Sequence, residues 1–235
     1  MIINMLLRGK SLKHFEQIKD KPDVVFLVND MHREIDKVEN LREYLLDKDI
    51  NLVFNFVRNS EIGLKKINFF DEFNVTKLIR PYVVGTRDDD GAQDIPIENT
   101  FLDESHIPFM SIGSKYAYEY PGSGISGIAY AVLNCKPKVL NIVGLDFYDN
   151  LRRGESNYLV DNYIGRNYGH DLTNVEQIGE DFDEPTLTEW QYQMQNSLCD
   201  FADHIPSMKV NLWTACSKLI DRLKNQKNIT IKEVE

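Results

Sequence analysis

Short apolar runs recur along the chain, each closing on polar or small residues, with stretches of helical spacing between them. Residues 2–7 form the first run and predict a strand. Arg8-Gly9-Lys10-Ser11 then turns into a helix reaching about residue 18, ahead of a break at Pro22. Val24–Asn29 and Asn51–Phe56 predict two more strands, ending near Asn29 and Asn55, in the manner of parallel strands buried on both faces. Between them, Val38, Leu41, Leu45 and Leu46 share one face of a helix over 37–47. Residues 61–79 read as helical with Phe69, Phe70 and Phe73 toward the core, and Tyr82–Val84 and Phe109–Ile112 as short strands; 98–104 gives no clear assignment. Gly124–Leu133 predicts a helix, Val139–Val143 a strand, Thr188–Asp203 a helix, Val210–Trp213 a last strand and Ala215–Leu223 a last helix. Residues 224–235 read as a polar, fraying tail.

Strands alternating with helices predict an α/β fold: a mainly parallel, Rossmann-like sheet with helices on both faces. Residues 149–185 break the pattern. They are rich in Asn, Gly, Asp and Tyr, have no period, and read as a lid segment.

The unit from Tyr120 to Tyr148 is the richest in chemistry. A turn around Gly122-Ser123-Gly124 opens the helix, and the strand after it ends on Gly144-Leu145-Asp146-Phe147-Tyr148. Bare backbone N–H groups at a helix start suit a phosphate or carboxylate. The carboxyl ends of parallel strands are where open α/β sheets hold ligands. The same residues equally fit a small-residue helix packed tightly on a sheet.

Charge narrows the partners. The chain carries 37 acidic and 27 basic residues, a net charge of −10, which argues against a nucleic-acid interface built on a basic face. Three widely spaced cysteines without a C-x-x-C pair point to reduced thiols in a cytoplasmic protein. The apolar start, residues 1–7, is too short for a membrane span and lacks the marks of a signal peptide.

Several residues are candidates for a site. Arg8, Gly9 and Ser11 form a turn entering a helix, without the spacing of a P-loop. Asn29 and Asn55 place amides, which both donate and accept, at two strand ends; a turn role is the plainer reading. Asp88-Asp89-Asp90 reads as a solvated turn rather than a metal site. His170 lies in the lid stretch beside Asp171, where a histidine can serve as a base near neutral pH.

Taken in order, these pieces resemble the bacterial CMP-sialic-acid-dependent sialyltransferases that build lipooligosaccharides. Leu7-Arg8-Gly9-Lys10-Ser11-Leu12 is similar to that family's G-N-G-P-S-L turn at the Gly, Ser and Leu. Val28-Asn29-Asp30 resembles its second strand end, and Val53-Phe54-Asn55 its V-F-Y-N strand. Gly122-Ser123-Gly124 resembles its T-S-G helix start, Gly144-Leu145-Asp146-Phe147-Tyr148 its G-I-D-F-Y strand end, and Tyr158 a second tyrosine that follows. The likeness spans about residues 1–165 and 209–220. Some of the turn chemistry is shared with a related pterin pyrophosphokinase-like group.

The resemblance implies metal-independent transfer of sialic acid or a related keto-acid sugar from a CMP-activated donor, itself a substrate with no further cofactor, to a glycan acceptor. It assigns donor binding to Arg8, Gly9, Ser11, Asn29, Asn55, Ser123, Gly124, Gly144 and Asp146, and catalysis to Tyr148, Tyr158, Tyr163 and His170. It implies a nucleotide-sugar-binding domain over 1–148, a lid or acceptor-side segment over 149–187, and the rest of the α/β domain over 188–223, before the tail. A homo-oligomer, and contact with the inner face of a membrane during glycan synthesis, are further expectations. Two positions depart from the pattern. Arg166 follows Tyr163-Ile164-Gly165 where the family has its histidine, leaving His170 as the nearest candidate base, and Arg8 replaces the family's Asn.

Overall fold

The computed structural model describes residues 1–28, 31–53, 68–81, 100–103, 123–146, 198–199, 201–203 and 205–234. Eight strands make one sheet: β1 (Ile2–Leu6), β2 (Val24–Val28), β3 (Ile50–Val53), β4 (Val75–Pro81), β5 (Thr100–Asp103), β6 (Val139–Val143), β7 (Lys209–Thr214) and β8 (Ile229–Glu233). Their order is β5-β4-β3-β2-β1-β6-β7-β8, and every pairing is parallel. The α/β, Rossmann-like expectation holds.

The sheet grows outward from β1 in one direction through β5, then resumes on the other side of β1 with β6. That reversal divides the packing. A 3-10 helix (Lys10–Gln17) and the short helices α1 (His32–Ile35), α2 (Leu41–Leu45) and α3 (Phe69–Glu72) lie in the first half of the chain. Leu12, Phe15, Ile35, Leu41, Leu45, Phe69 and Phe73 from this region pack with Leu6, Val25, Leu27, Ile50 and Leu52. Helix α4 (Ser123–Tyr130), extended by a π turn over Ala131–Cys135, and helix α5 (Ser217–Leu223) belong to the second half. Ile125, Ile128, Val132, Leu219 and Leu223 pack with Ile3, Met5, Phe26, Leu140, Ile142 and Leu212. Period-two alternation along β1, β2, β3, β6 and β7 thus sends neighbouring residues to opposite cores, as burial on both faces requires. Residues 198–199 and 201–203 are helical, and Leu198, Phe201 and Ala202 join the second core.

Four expectations need correction. The tail expected over 224–235 contains β8, whose Ile229 and Val234 are buried; Thr230, Lys232 and Glu233 are exposed on this edge strand, which makes it look like a tail in sequence. Of the helical reading of 61–79, residues 61–67 lie outside the described residues, α3 is helical, and the end is overturned because β4 starts at Val75 and pairs beside β3. Leu46 is 51% exposed rather than part of the buried face, since α2 ends at Leu45. Residues 100–103, left unassigned, form β5. The strands expected at Tyr82–Val84 and Phe109–Ile112 lie outside the described residues, as does the whole of the expected lid over 149–187.

One feature of the core had no counterpart in the sequence reading. Asn4, Asn141 and Asn211 stand opposite one another on β1, β6 and β7. Asn211 Nδ2 donates to Asn141 Oδ1 at 2.7 Å, Asn141 Nδ2 to Asn4 Oδ1 at 2.8 Å, and Asn4 Nδ2 to the Tyr44 hydroxyl at 2.8 Å. All three asparagines are buried. In-register parallel strands stack identical amides so that each donates to the next, which satisfies groups that would otherwise cost dearly inside a core.

Candidate functional site

The reversal of strand order falls between β1 and β6, and the carboxyl ends of these strands face the crevice that such a reversal opens. Three segments meet there. The turn after β1 is tied to β6 through the backbone: Leu7 N donates to Val143 O and Gly9 N to Gly144 O, both at 2.8 Å. Gly144 adopts φ +82°, and any Cβ on it would overlap the Leu7 carbonyl, so only glycine fits. A Cβ on Gly9 would collide with Gly144 O and the Asp146 carboxylate.

Ser11 and Asp146 complete the knot. The buried Ser11 hydroxyl donates to Trp213 O at 3.1 Å and accepts from Gly144 N at 2.9 Å, joining the turn after β1 to β6 and β7. Asp146 Oδ2 accepts from Ser11 N at 2.6 Å, and Oδ1 from Ala215 N at 3.1 Å. The Thr214 hydroxyl lies 3.1 Å from Leu145 O and 3.2 Å from Asp146 Oδ1, and accepts from Cys216 N at 3.1 Å. One carboxylate therefore caps the 3-10 helix and the turn after β7 together, with charge-assisted bonds at both ends. Ser11 and Asp146 hold the rim in shape by these bonds.

Helix α4 begins at the same rim. A Cβ on Gly124 would press on Leu7 Cδ1 at 3.2 Å, and one on Gly127 on Val53 Cγ2 at 3.1 Å. The glycines thus have a packing role: they let the start of α4 sit directly over the end of β1. This is the tight-packing reading of the unit, and the close packing sets the helix start beside the end of β1.

Arg8 follows a different path. Its side chain is buried, and Nε donates to both carboxylate oxygens of the fully buried Glu34 at 3.0 Å. The pair ties the β1 turn to α1, and Glu34 offsets the charge of a residue that the resemblance assigns to donor binding. Breaking such a pair from one side costs about 3–5 kcal/mol.

Of the residues singled out in the sequence, Gly9, Ser11, Gly144 and Asp146 come together in one network, with Gly124 beside it and the Arg8 side chain turned to Glu34. Ser123 opens α4. Asn29, Asn55, Tyr148, Tyr158, Tyr163 and His170 lie outside the described residues. The sequence reading missed Glu34 and Thr214. Nothing local marks Glu34, which looks like one more solvated helix residue; Thr214, at the end of a strand, could have been found by asking what lies beside Asp146 across the sheet.

Among the described residues, no group of three or more His, Cys, Asp and Glu is placed to hold a metal ion. Nor is any helix among them long and apolar enough to cross a membrane. Compared with protein-family models, curated proteins and solved structures, the chain matches none.

Proposed function

We propose that the chain is a glycosyltransferase that binds a CMP-activated keto-acid sugar at the β1–β6 crevice and passes the sugar to a glycan acceptor without a metal. The observation that carries this reading is the convergence of the β1 turn, the end of β6 and the start of α4 where strand order reverses. On this reading the backbone N–H groups at Ser123 and Gly124 bind the donor's phosphate or carboxylate. Gly9, Ser11, Gly144 and Asp146 shape the rim. Asn29 and Asn55, following β2 and β3, read the nucleoside. Tyr148, Tyr158 and Tyr163 donate to the departing CMP phosphate, where charge grows as the glycosidic bond breaks. His170 takes the proton of the acceptor hydroxyl, a role worth about 10²–10⁴-fold in rate.

Thermal-shift titration with CMP, CDP, UDP, GDP and ATP, each with EDTA or Mg²⁺, tests the reading. Ligands that bind the native state raise Tm by mass action. Stabilisation by CMP in EDTA, followed by hydrolysis or transfer of CMP-sialic acid, is the expected result. CMP binding without turnover would make the chain a nucleotide-sugar-binding protein, in keeping with Arg166 at the position where the resembling family has its base. Stabilisation by ATP with Mg²⁺ alone would favour a pyrophosphokinase instead.

A further inference from the structure

Strand β8 ends the sheet, with β7 on one side and no strand on the other among the described residues. Its hydrogen-bonding direction can be read along its length. Asn228 O accepts from Val210 N at 2.8 Å, and Val234 N donates to Thr214 O at 3.2 Å. The N–H and C=O of one strand residue point the same way, and the direction alternates with each residue. Even-numbered residues from 228 to 234 therefore pair with β7, while Ile229, Ile231 and Glu233 direct their backbone groups outward. Ile229 N is already used in the preceding turn, donating to Gln226 O. The outward N–H and C=O of Ile231 and Glu233, with the carbonyl of Ile229, make a template for another strand. No proline or bulge guards it.

We propose that this edge pairs antiparallel with β8 of a second copy of the chain, about a two-fold axis at Thr230. The choice of register follows from the side chains. An axis at Lys232 sets two ammonium groups opposite each other, which is destabilising. An axis at Ile231 sets Ile229 against Glu233. The axis at Thr230 sets Ile229 against the partner's Ile231 and Thr230 against the partner's Thr230, and brings Glu233 to the turn carrying the partner's Lys227. Lys227, Thr230, Lys232 and Glu233 are all exposed, so these groups are open to a partner. The surface is self-complementary, as a two-fold dimer requires. It joins two eight-stranded sheets into one and leaves the β1–β6 crevice clear of the junction by the width of β7 and β8.

Sedimentation velocity over a concentration series, using the full chain, gives the oligomeric state; the wild type is expected to be a dimer. Ile231→Pro removes an outward N–H without touching the ladder to β7 and should give a monomer with near-native circular dichroism. Glu233→Lys should raise the dimer Kd about 2- to 30-fold, the range of two symmetric cross-strand pairs, and Lys227→Glu added to it should recover the loss. At the axis the two Thr230 Cα atoms should lie about 4.5 Å apart, as in a non-hydrogen-bonded antiparallel pair, within reach of a disulfide. Thr230→Cys should therefore cross-link the dimer on oxidation, whereas Lys232→Cys should not. If Ile231→Pro fails to fold, the charge reversal and the cross-link decide. A wild type monomeric at every concentration overturns the proposal, as does a dimer indifferent to these changes or cross-linked through Lys232→Cys instead.

Discussion

Strands β1, β6 and β7 carry two polar networks, one within the sheet and one at its carboxyl rim, and the two are built differently. Within the sheet, Asn4, Asn141 and Asn211 bond side chain to side chain across three neighbouring strands. At the rim, Ser11, Thr214 and Asp146 bond mainly to backbone. The ladder fixes how the strands align: a slip of one residue would turn each asparagine to the opposite core and part it from its neighbours. The knot fixes how the chain leaves the strands, and so where the α4 start and the turns face. Its backbone partners are groups that strand ends and helix starts leave unmatched. A site at this rim depends on the knot directly and on the ladder only through global stability.

The comparison can be broken first at Gly144. Gly144→Ala should cost about 3–5 kcal/mol, combining backbone strain at positive φ with overlap on the Leu7 carbonyl. Urea unfolding measures it; a loss under 1 kcal/mol would mean the β1 turn gives way easily and does not shape the rim.

The ladder should come next. Asn141→Leu strands Asn4 Oδ1 and Asn211 Nδ2 in the core and should cost about 2–4 kcal/mol. Replacing all three asparagines with leucine should cost less than the sum of the single changes, because whole polar networks can be exchanged for apolar groups more cheaply than they can be broken. Strict additivity would show that the three amides do not act as a unit. Any nucleotide that stabilises the wild type should shift Tm of Asn141→Leu by a similar amount, since the ladder does not face the crevice.

The smallest effect is expected at Tyr44. Burial raises its hydroxyl pKa above the ordinary value of 10.0; the bond from Asn4 partly opposes this, and the charge of Asp47 adds to it. The folded state therefore holds the phenolic proton more tightly than the unfolded state. Stability from this group is fully present below pH 10 and declines as pH rises through the folded pKa. Tyr44→Phe should lower stability at neutral pH by about 1–2 kcal/mol by leaving Asn4 Nδ2 without its acceptor. It should also flatten the alkaline decline. An unchanged alkaline slope would separate Tyr44 from the end of the ladder.

The α/β architecture could be read from the chain because it rests on local chemistry. Apolar runs such as Val24–Val28, and Val139–Val143 around its single Asn141, need burial on both faces, and parallel strands covered by helices supply it. Gly9, Ser11, Gly144 and Asp146 were legible as candidates because glycines and small polar residues stand out beside such runs. Their roles were not. Ser11 and Asp146 are 135 residues apart, and only the pairing of β1 with β6 brings the carboxylate onto the Ser11 amide. The resemblance assigns Arg8 to donor binding, and only the fold puts Glu34 against it. The asparagine ladder was invisible because one amide in an apolar run carries no local signal; register alone stacks three of them. β8 was hidden for the converse reason: an edge strand can keep exposed polar residues, so its burial pattern lacks the apolar run that marks the inner strands. The sequence by itself determined that the apolar runs of β1, β2, β3, β6 and β7 are buried strands, since that depends on transfer from water. Strand order, register and the partner of each polar group were decided only by tertiary structure, because they depend on which distant segments share the sheet.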